Sequence, residues 1–174
     1  MTPTKPPTLR IRLANPADLP EITVIYNHAV RAGGQTAETT EVNLAERQHW
    51  LAKHAPDRRP VYVAEMQGQV AGYLTLSDYR PGRQAVARTA EVSYYVAPAF
   101  FRQGVASALL NYALQAMPAL DISTVFAIVI ASNQASLALL QKHGFEIWGR
   151  LPGVVEVKGQ RYDHLYLGRE AASD

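Results

Sequence analysis

The chain lacks cysteine altogether and is poor in charge, since charged residues make up 18% of its 174 residues. The absence of cysteine excludes disulfides, a thiolate nucleophile and a thiolate-based metal site. The formal net charge of +2, from 17 basic and 15 acidic residues, is too small and too scattered to indicate nucleic-acid binding. The five histidines show no ligand spacing, so no metal site is expected.

Long apolar runs are also missing. No run reaches the ~20 residues that a membrane-spanning helix needs, and the first residues lack the apolar core of a signal peptide. We therefore expect a cytoplasmic protein that binds no membrane. The length favours one domain. The expected boundaries are a flexible tail over residues 1–7, a single domain over residues 8–168 and a C-terminal tail over residues 169–174.

Segments with period-two alternation or β-branched runs predict the strands. A Gln67-Gly68 turn joins the second and third of them, and Gly159 lies at the last turn. A polar loop from Ser77 to Ala87 is long enough to suggest a functional role. The predicted strands are Leu9–Leu13, Val61–Glu65, Val70–Leu76, Thr89–Val96, Ile122–Ile130, Phe145–Arg150 and Arg161–Leu167.

Capping signals between these strands predict four helices. One begins at Asn15-Pro16 and ends before Gly33. A second begins at Asn43, where Glu46 completes a capping box, and carries Leu44, Arg47, Trp50 and Leu51. The third begins near Gly104, and Asn133 caps the fourth. The resulting order β, α, α, β, β, β, α, β, α, β, β predicts a mixed α/β fold.

One strand–loop–helix segment, from Ala90 to Leu114, carries the strongest functional signal. Its loop combines Arg102 with Gly104 and further small residues, which let a ligand approach the backbone. The first N–H groups of a helix have no partner within the helix and bind phosphate readily. The segment is therefore predicted to hold a phosphate-bearing cofactor. The alternative is a connection with a structural role only.

The loop resembles a known cofactor motif. Phe101–Ala106 is similar to Gln/Arg-x-x-Gly-x-Gly/Ala, the acetyl-CoA-binding motif of the GNAT superfamily of N-acetyltransferases, although Phe101 replaces the first Gln or Arg. A second stretch, from Asn133 to Phe145, resembles the superfamily's Asn-x-x-Ala/Ser…Lys-x-Gly-Phe signature. The resemblance extends from Leu9 to Leu167. It implies the GNAT fold, in which a twisted mixed sheet of about seven strands is flanked by helices.

Within that superfamily the chain looks most like the phosphinothricin and L-amino-acid N-acetyltransferases. The residues that carry this likeness are Ile25–Val30, Leu44–Trp50, Tyr79-Arg80-Pro81, Glu91 and Gly159–Asp163. The likeness implies transfer of an acetyl group from acetyl-CoA to the primary amine of a small molecule, an amino acid or a phosphinothricin-like analogue. It also implies a homodimer.

The resemblance assigns a general base. Glu91 would accept the proton of the attacking amine; alternatively it faces solvent or pairs with Arg88. From the residues themselves, Arg80, Arg83 or Arg88 would bind a substrate carboxylate, because arginine forms two-pronged pairs with carboxylates; the alternative is that they are solvated loop arginines. Ser93 would line the same site as Glu91.

The cofactor would lie along the strand and the helix that follow Glu91. The backbone amides of Tyr94, Tyr95 and Val96 would hold the pantetheine arm and the thioester oxygen. Asn133 would contact the same arm or act only as a helix cap, and Lys142 would approach the 3′-phosphate or only neutralise a helix end. The pyrophosphate would bind the amides of Arg102, Gln103, Gly104, Val105, Ala106 and Ser107.

Two positions depart from the family pattern. Leu140 stands where many members have a Tyr or His that protonates the leaving thiolate, so water, Tyr26 or Tyr162 would have to do so. Ala37 stands where an aromatic residue lines the substrate site, which suggests a different or larger substrate. Three alternatives to a small-molecule acetyltransferase remain: a non-catalytic acyl-CoA-binding protein, a peptide-amine acetyltransferase and an interaction module.

Overall fold

The computed structural model describes residues 8–172, and within that range seven strands and four α-helices follow the predicted order. The mixed α/β class is confirmed. The elements are β1 Leu9–Leu13, α1 Leu19–Ala32, α2 Leu44–Ala52, β2 Val61–Met66, β3 Gln69–Asp78, β4 Thr89–Val96, α3 Val105–Ala116, β5 Thr124–Ile130, α4 Gln134–Lys142, β6 Glu146–Val157 and β7 Gln160–Glu170.

The strands form one sheet in the order β1-β2-β3-β4-β5-β7-β6. Neighbours are antiparallel except at the centre, where β4 and β5 run parallel. That parallel ladder is short: it joins Thr89–Glu91 to Thr124–Phe126 and goes no further. Beyond Glu91 the two strands separate, and the backbone groups of β4 that face β5 have no strand partner there.

Helices cover both faces of the sheet. On one face α3 and α4 pack through fully buried residues such as Leu109, Leu110 and Leu140. On the other face α1 packs Ile22 and Ile25 against the sheet, with α2 beside it. The segment after β4 thus leads directly into a helix that lies over the site where the sheet opens.

The helix starts follow the capping signals, with one difference. Asn43 and Glu46 form the predicted capping box at the start of α2. At Asn15 the chain first makes a 3-10 turn over Pro16–Asp18, and the α-helix starts only at Leu19. The Asp18 carboxylate explains this tight turn, since it accepts hydrogen bonds from the Asn15 N–H and the Arg12 side chain.

The C-terminal hairpin is longer than its local pattern indicates. β6 continues to Val157, and β7 continues to Glu170, two residues into the stretch predicted as a tail from residue 169. Pairing with β5 sets this length, because Arg169 and Glu170 lie opposite Val125 and Thr124. The predicted tail over residues 1–7 lies outside the described residues, as do residues 173–174.

Candidate active site

A cleft of about 500 Å³ opens where β4 and β5 separate. β4 and β5 form its floor, and the starts of α3 and α4 form its sides. Its size lies within the usual range for small-molecule sites. The lining residues are Gln35, Val92, Ser93, Tyr94, Tyr95, Val96, Phe100, Phe101, Arg102, Gly104, Val105, Ala106, Ser107, Ala127, Ile128, Val129, Asn133, Ala135, Ser136 and Leu139.

The start of α3 presents a row of unpaired backbone N–H groups to this cleft. The N–H groups of residues 102–107 donate to no acceptor within residues 8–172, and the first N–H bonded within the helix is that of Ala108. Arg102 and Gly104 adopt left-handed backbone conformations, with φ of 60° and 80°. Such a turn directs successive amides toward one point and forms an anion-binding nest. We call residues 102–107 the amide nest; its donors fit a pyrophosphate.

Local contacts hold the amide nest in place. The Gln103 side-chain amide donates to the Ala99 carbonyl at 3.0 Å, so this side chain supports the loop and does not line the cleft. Beneath the nest, β3 carries Gly72, where a Cβ would lie 2.9 Å from the Tyr95 carbonyl oxygen and 3.0 Å from a Val105 methyl group. A larger residue at position 72 would push α3 away from the sheet.

Glu91 lies at the point where the two strands separate. Its carboxylate is half-buried and forms no hydrogen bond or salt bridge with any residue in the described range. Burial raises its pKa above the ordinary value of 4.5. The alternative pairing with Arg88 is wrong, because Arg88 binds Asp121 at 2.8 Å. The side chain is therefore poised to accept a proton and has no competing cation.

The α4 side of the cleft is polar. The Asn133 side-chain oxygen accepts the Ser136 N–H at 3.3 Å, so Asn133 caps α4 and also lines the cleft. The Ser136 hydroxyl lies 2.5 Å from the Tyr94 hydroxyl. Burial raises the pKa of Tyr94 to about 12, with a smaller opposing effect from this hydrogen bond. Tyr94 therefore holds its proton at neutral pH.

Tyr26 and Tyr162, the side chains considered as proton donors to the leaving thiolate, lie outside the cleft, as does Leu140. Leu140 is fully buried in the core. The Tyr26 hydroxyl bonds that of Thr36 at 3.2 Å, and the Tyr162 hydroxyl donates to the Gln160 side chain at 2.6 Å. Neither tyrosine lines the cleft, whereas Tyr94 does.

The structure brings most of the predicted site together around one cleft. Some predicted residues lie elsewhere: Glu91 lies just beside the cleft, Lys142 is exposed at the end of α4, and Arg80 and Arg83 are exposed on the loop after β3. The predicted residues that line the cleft are Ser93, Tyr94, Tyr95, Val96, Arg102, Gly104, Val105, Ala106, Ser107 and Asn133.

Sequence reasoning missed the far wall of the cleft. Ala127, Ile128 and Val129 belong to β5, whose apolar run indicates only a buried strand. Gln35, in the loop after α1, carries no sequence signal for this role. Ser136 lies within the second motif, so its spacing three residues after Asn133 could have identified it.

The described residues contain neither a membrane-spanning helix nor a cluster of metal ligands. Between residues 8 and 172 no helix has the length and apolar character needed to cross a membrane. In the same range no three His, Asp or Glu side chains cluster closely enough to hold a metal ion.

Comparison with known proteins identifies similar chains. The model of the acetyltransferase (GNAT) domain family matches residues 11–166. A Bacillus subtilis protein, YwnH, provisionally described as a phosphinothricin acetyltransferase, is 40% identical over 93% of this chain and 99% of its own length. An L-methionine sulfoximine/L-methionine sulfone acetyltransferase of Pseudomonas paraeruginosa is 36% identical over 90% of this chain and 91% of its own.

A solved structure agrees with the fold. The GNAT superfamily phosphinothricin acetyltransferase from Sinorhizobium meliloti, crystallised with acetyl-CoA, superimposes with a TM-score of 0.88 at 30% identity. The alignment covers 94% of this chain and 89% of that one.

Proposed function

Because the chain belongs to the acetyltransferase (GNAT) domain family, we propose that its small-molecule amine substrate is an amino acid or a close analogue. The protein is an acetyl-CoA-dependent N-acetyltransferase. One observation carries the mechanism: the amide nest and the unpaired Glu91 lie at the two ends of β4 beside one cleft. Family membership supports an enzyme over a non-catalytic acyl-CoA-binding protein or an interaction module.

The cleft residues fit acetyl-CoA, which supplies an activated acyl thioester when bound. The amide nest and Arg102 would hold the pyrophosphate. The unpaired edge of β4 from Val92 to Val96, which includes Tyr94 and Tyr95, would hold the pantetheine arm. The side-chain nitrogen of Asn133 is not engaged by its capping bond, so it is available to the same arm. Lys142, at the end of α4, is proposed only to approach the 3′-phosphate.

Glu91 is proposed as the general base. An amine attacks only as the free base, and a nearby carboxylate can remove its proton directly or through one water molecule. The raised pKa of Glu91 makes it a better proton acceptor than an ordinary carboxylate. Since no cation neutralises Glu91, its negative charge also favours an incoming amine.

Tyr94 is proposed as the proton donor to the leaving thiolate. Leu140, which stands where many family members have a donating Tyr or His, has no proton to give. The Tyr94 phenol is protonated at neutral pH and lies beside the Ser136 hydroxyl in the cleft. After donating, Tyr94 Oη can recover a proton through Ser136. Both hydroxyls belong to the described cleft lining, unlike those of Tyr26 and Tyr162.

The amino-acid substrate is supported by the activities named for the relatives, which act on phosphinothricin and on methionine derivatives. Arg80 and Arg83 are proposed to contact the substrate from the loop after β3, and Ser93 from β4. Buried Arg59 holds the two ends of this loop together, since it donates to the Asp78 carboxylate at 2.8 Å and the Ala87 carbonyl at 2.6 Å.

Three further expectations are part of the proposal. The chain is proposed to fold as one domain and to form a homodimer. Exposed apolar residues on the edge strand β6, including Ile147, Trp148 and Val154, support an association that sedimentation velocity would test. A cytoplasmic location stays a prediction.

A turnover screen tests the proposal. Acetyl-CoA is incubated with the protein and a panel of amino acids, methionine sulfone, phosphinothricin, simple amines and short peptides, and release of free coenzyme A is measured. We expect turnover with amino acids or their analogues and little with peptides. Turnover with peptides alone would replace the small-molecule proposal by a peptide-amine acetyltransferase.

A further inference from the structure

Two arginines with little exposed surface, Arg59 and Arg47, differ in how their charge is satisfied. Arg59 is 5% exposed, and its guanidinium donates to the Asp78 carboxylate and to two backbone carbonyls. Arg47 is 6% exposed, but its Nε has no hydrogen-bond partner within residues 8–172. No carboxylate in that range forms a salt bridge with it.

An unpaired buried cation is costly, so Arg47 calls for a physical explanation. Removing a charge from water is unfavourable unless an opposite charge or hydrogen bonds compensate it. Aromatic rings compensate in part: the guanidinium carbon of Arg47 lies 3.9 Å from the centroid of the Tyr26 ring and 4.7 Å from that of Trp50. Cation–π contacts are weaker than a hydrogen-bonded ion pair, so they offset only part of this cost. The hydroxyl of buried Tyr73 lies near this guanidinium, and like the Arg47 Nε it has no partner at hydrogen-bond distance within residues 8–172.

Arg47 lies on the same face of the sheet as Glu91. Its neighbour Tyr26 packs edge-on against Tyr95, with ring centroids 5.2 Å apart. Tyr95 projects from β4 on the same side as Glu91, because the two are four residues apart in a strand and strand side chains alternate with period two. This face is opposite to the one covered by α3 and α4.

The pKa of Tyr95 responds to the charges of both Arg47 and Glu91. Burial raises the pKa of Tyr95 to about 12, the nearby charge of Arg47 opposes that rise, and the charge of Glu91 adds to it. Arg47 and Glu91 nevertheless form no salt bridge with each other within the described range. An anion without a cation and a cation without an anion thus lie on the same face of the sheet, and both act on one phenol.

We propose that Arg47 binds the carboxylate of an α-amino acid substrate while Glu91 faces its amine. This inference rests on the proposed function and adds the residue that selects the substrate class. The amine and the carboxylate of an α-amino acid are attached to the same carbon, so one molecule can present a group to each charge. Arginine suits this role because its planar fork of donors matches a carboxylate.

The α2 helix holds Arg47 in place from both ends. Its capping box fixes the first turn, with the Glu46 carboxylate accepting the Asn43 N–H at 2.7 Å. Trp50, on the same helix, covers the guanidinium and contacts the buried ring of Tyr73. A guanidinium held between aromatic rings loses little side-chain freedom when a carboxylate binds, and this preorganisation favours affinity.

Matched substrates test the inference on the wild-type protein. An amino acid that is turned over is compared with its decarboxylated amine and its methyl ester, which keep the amine and lose the negative charge. We expect kcat/KM for the acid to exceed that of either neutral analogue by about 10- to 100-fold, because a hydrogen-bonded pair with a charge contributes roughly 1.5–3 kcal/mol. The des-amino carboxylic acid should inhibit more strongly than its primary amide.

Variants then attribute this preference to a residue. In Arg47→Met the KM for the amino acid should rise by about 10- to 100-fold, while kcat/KM for the decarboxylated amine and KM for acetyl-CoA stay unchanged. Arg47→Lys should lie between, because an ammonium retains charge without the fork. Arg10→Met, which removes an exposed arginine from the edge strand β1, is the charge-matched control and should leave all three constants unchanged.

The outcomes separate this inference from the proposed function. If the decarboxylated amine is acetylated as well as the acid by the wild-type protein, small-amine acetylation stands and the role of Arg47 is wrong. An equal loss for both substrates in Arg47→Met would indicate a packing role and also overturn it. If no amine in the panel releases coenzyme A, the proposed function itself fails. Should Arg47→Met not fold, Arg47→Lys and the wild-type inhibitor comparison decide.

Discussion

At the scale of single residues, the proposed reaction has two proton transfers: Glu91 accepts a proton from the amine, and Tyr94 donates one to the leaving thiolate. They are three residues apart on β4, so their side chains project to opposite faces of the sheet. Burial raises the pKa of both groups. For Glu91 this strengthens the base, and for Tyr94 it keeps the proton on the acid. Their separation by the strand prevents a direct transfer between them.

Replacing Glu91 by Gln should lower kcat by about 10²- to 10⁴-fold, since general-base catalysis contributes that much, and leave KM for acetyl-CoA unchanged. In the wild-type protein kcat should fall as the pH drops through the raised pKa of Glu91, because only the carboxylate accepts a proton. Steady-state kinetics from pH 4 to 9 checks both. A wild-type acid limb that persists in Glu91→Gln would contradict the assignment.

The same variant should be more stable than the wild type at neutral pH. Burial disfavours the charged form of Glu91 and favours the protonated form. The folded state therefore has its full stability below the ordinary pKa of 4.5, where Glu91 is protonated, and loses stability as the pH rises through the raised folded-state pKa. Glutamine stays neutral at every pH. Thermal melts at several pH values should show a Tm advantage for Glu91→Gln near pH 7 that vanishes below about pH 4.5. A constant difference would argue against a buried, unpaired carboxylate.

Replacing Tyr94 by Phe keeps the ring and removes only the hydroxyl. Because that hydroxyl is the proposed proton donor, kcat should fall by about 10²-fold. Affinity for coenzyme A, measured by calorimetry, should change little. Tyr112→Phe is the control, since Tyr112 is exposed on α3 and packs edge-on against Tyr62 outside the cleft. Equal activity of Tyr94→Phe and Tyr112→Phe would assign the proton donor to water.

At the scale of elements, the start of α3 is the feature that prepares the chain for a cofactor. A helix start leaves its first amides unpaired wherever it occurs. Here the left-handed backbone at Arg102 and Gly104 adds the preceding amides to the same concave surface. The contact at Gly72 holds that surface against β4.

Gly104→Ala should weaken coenzyme A binding by about 10-fold, equivalent to about 1.4 kcal/mol. The added methyl group meets no atom within 4 Å, so its effect comes from the left-handed φ of 80°, which alanine disfavours. Gly68→Ala is the matched control, because Gly68 has φ of 74°, equally free space and lies in the β2–β3 turn. Both variants should lose similar stability, and only Gly104→Ala should lose affinity in titration calorimetry.

At the scale of the whole molecule, the opening of the sheet is the central feature. Antiparallel pairs hold each side of the sheet together, and a parallel ladder of three residue pairs joins β4 to β5 at its centre. A ligand placed between the separated strands would contact both halves of the molecule. Its binding should therefore stabilise the fold as one unit.

Coenzyme A at 100 times its Kd should stabilise the folded state by about 2.7 kcal/mol. For a chain of this length that corresponds to a Tm increase of roughly 5–10 °C. Differential scanning fluorimetry measures it, with adenosine as a ligand that lacks the pyrophosphate. An unchanged Tm with coenzyme A would show that the amide nest does not bind it.

The sequence by itself determined the order of the strands and helices, the capping box of α2 and the amide nest, because each depends on residues close together in the chain. Glu91 and Asn133 were identified through motifs of the same local kind. Tertiary structure decided the rest. The separation of β4 from β5 depends on which backbone groups pair across the sheet, and the length of β7 depends on β5. The unpaired state of Arg47 and the contact between Tyr94 and Ser136 depend on side chains far apart in sequence, so packing alone brings them together.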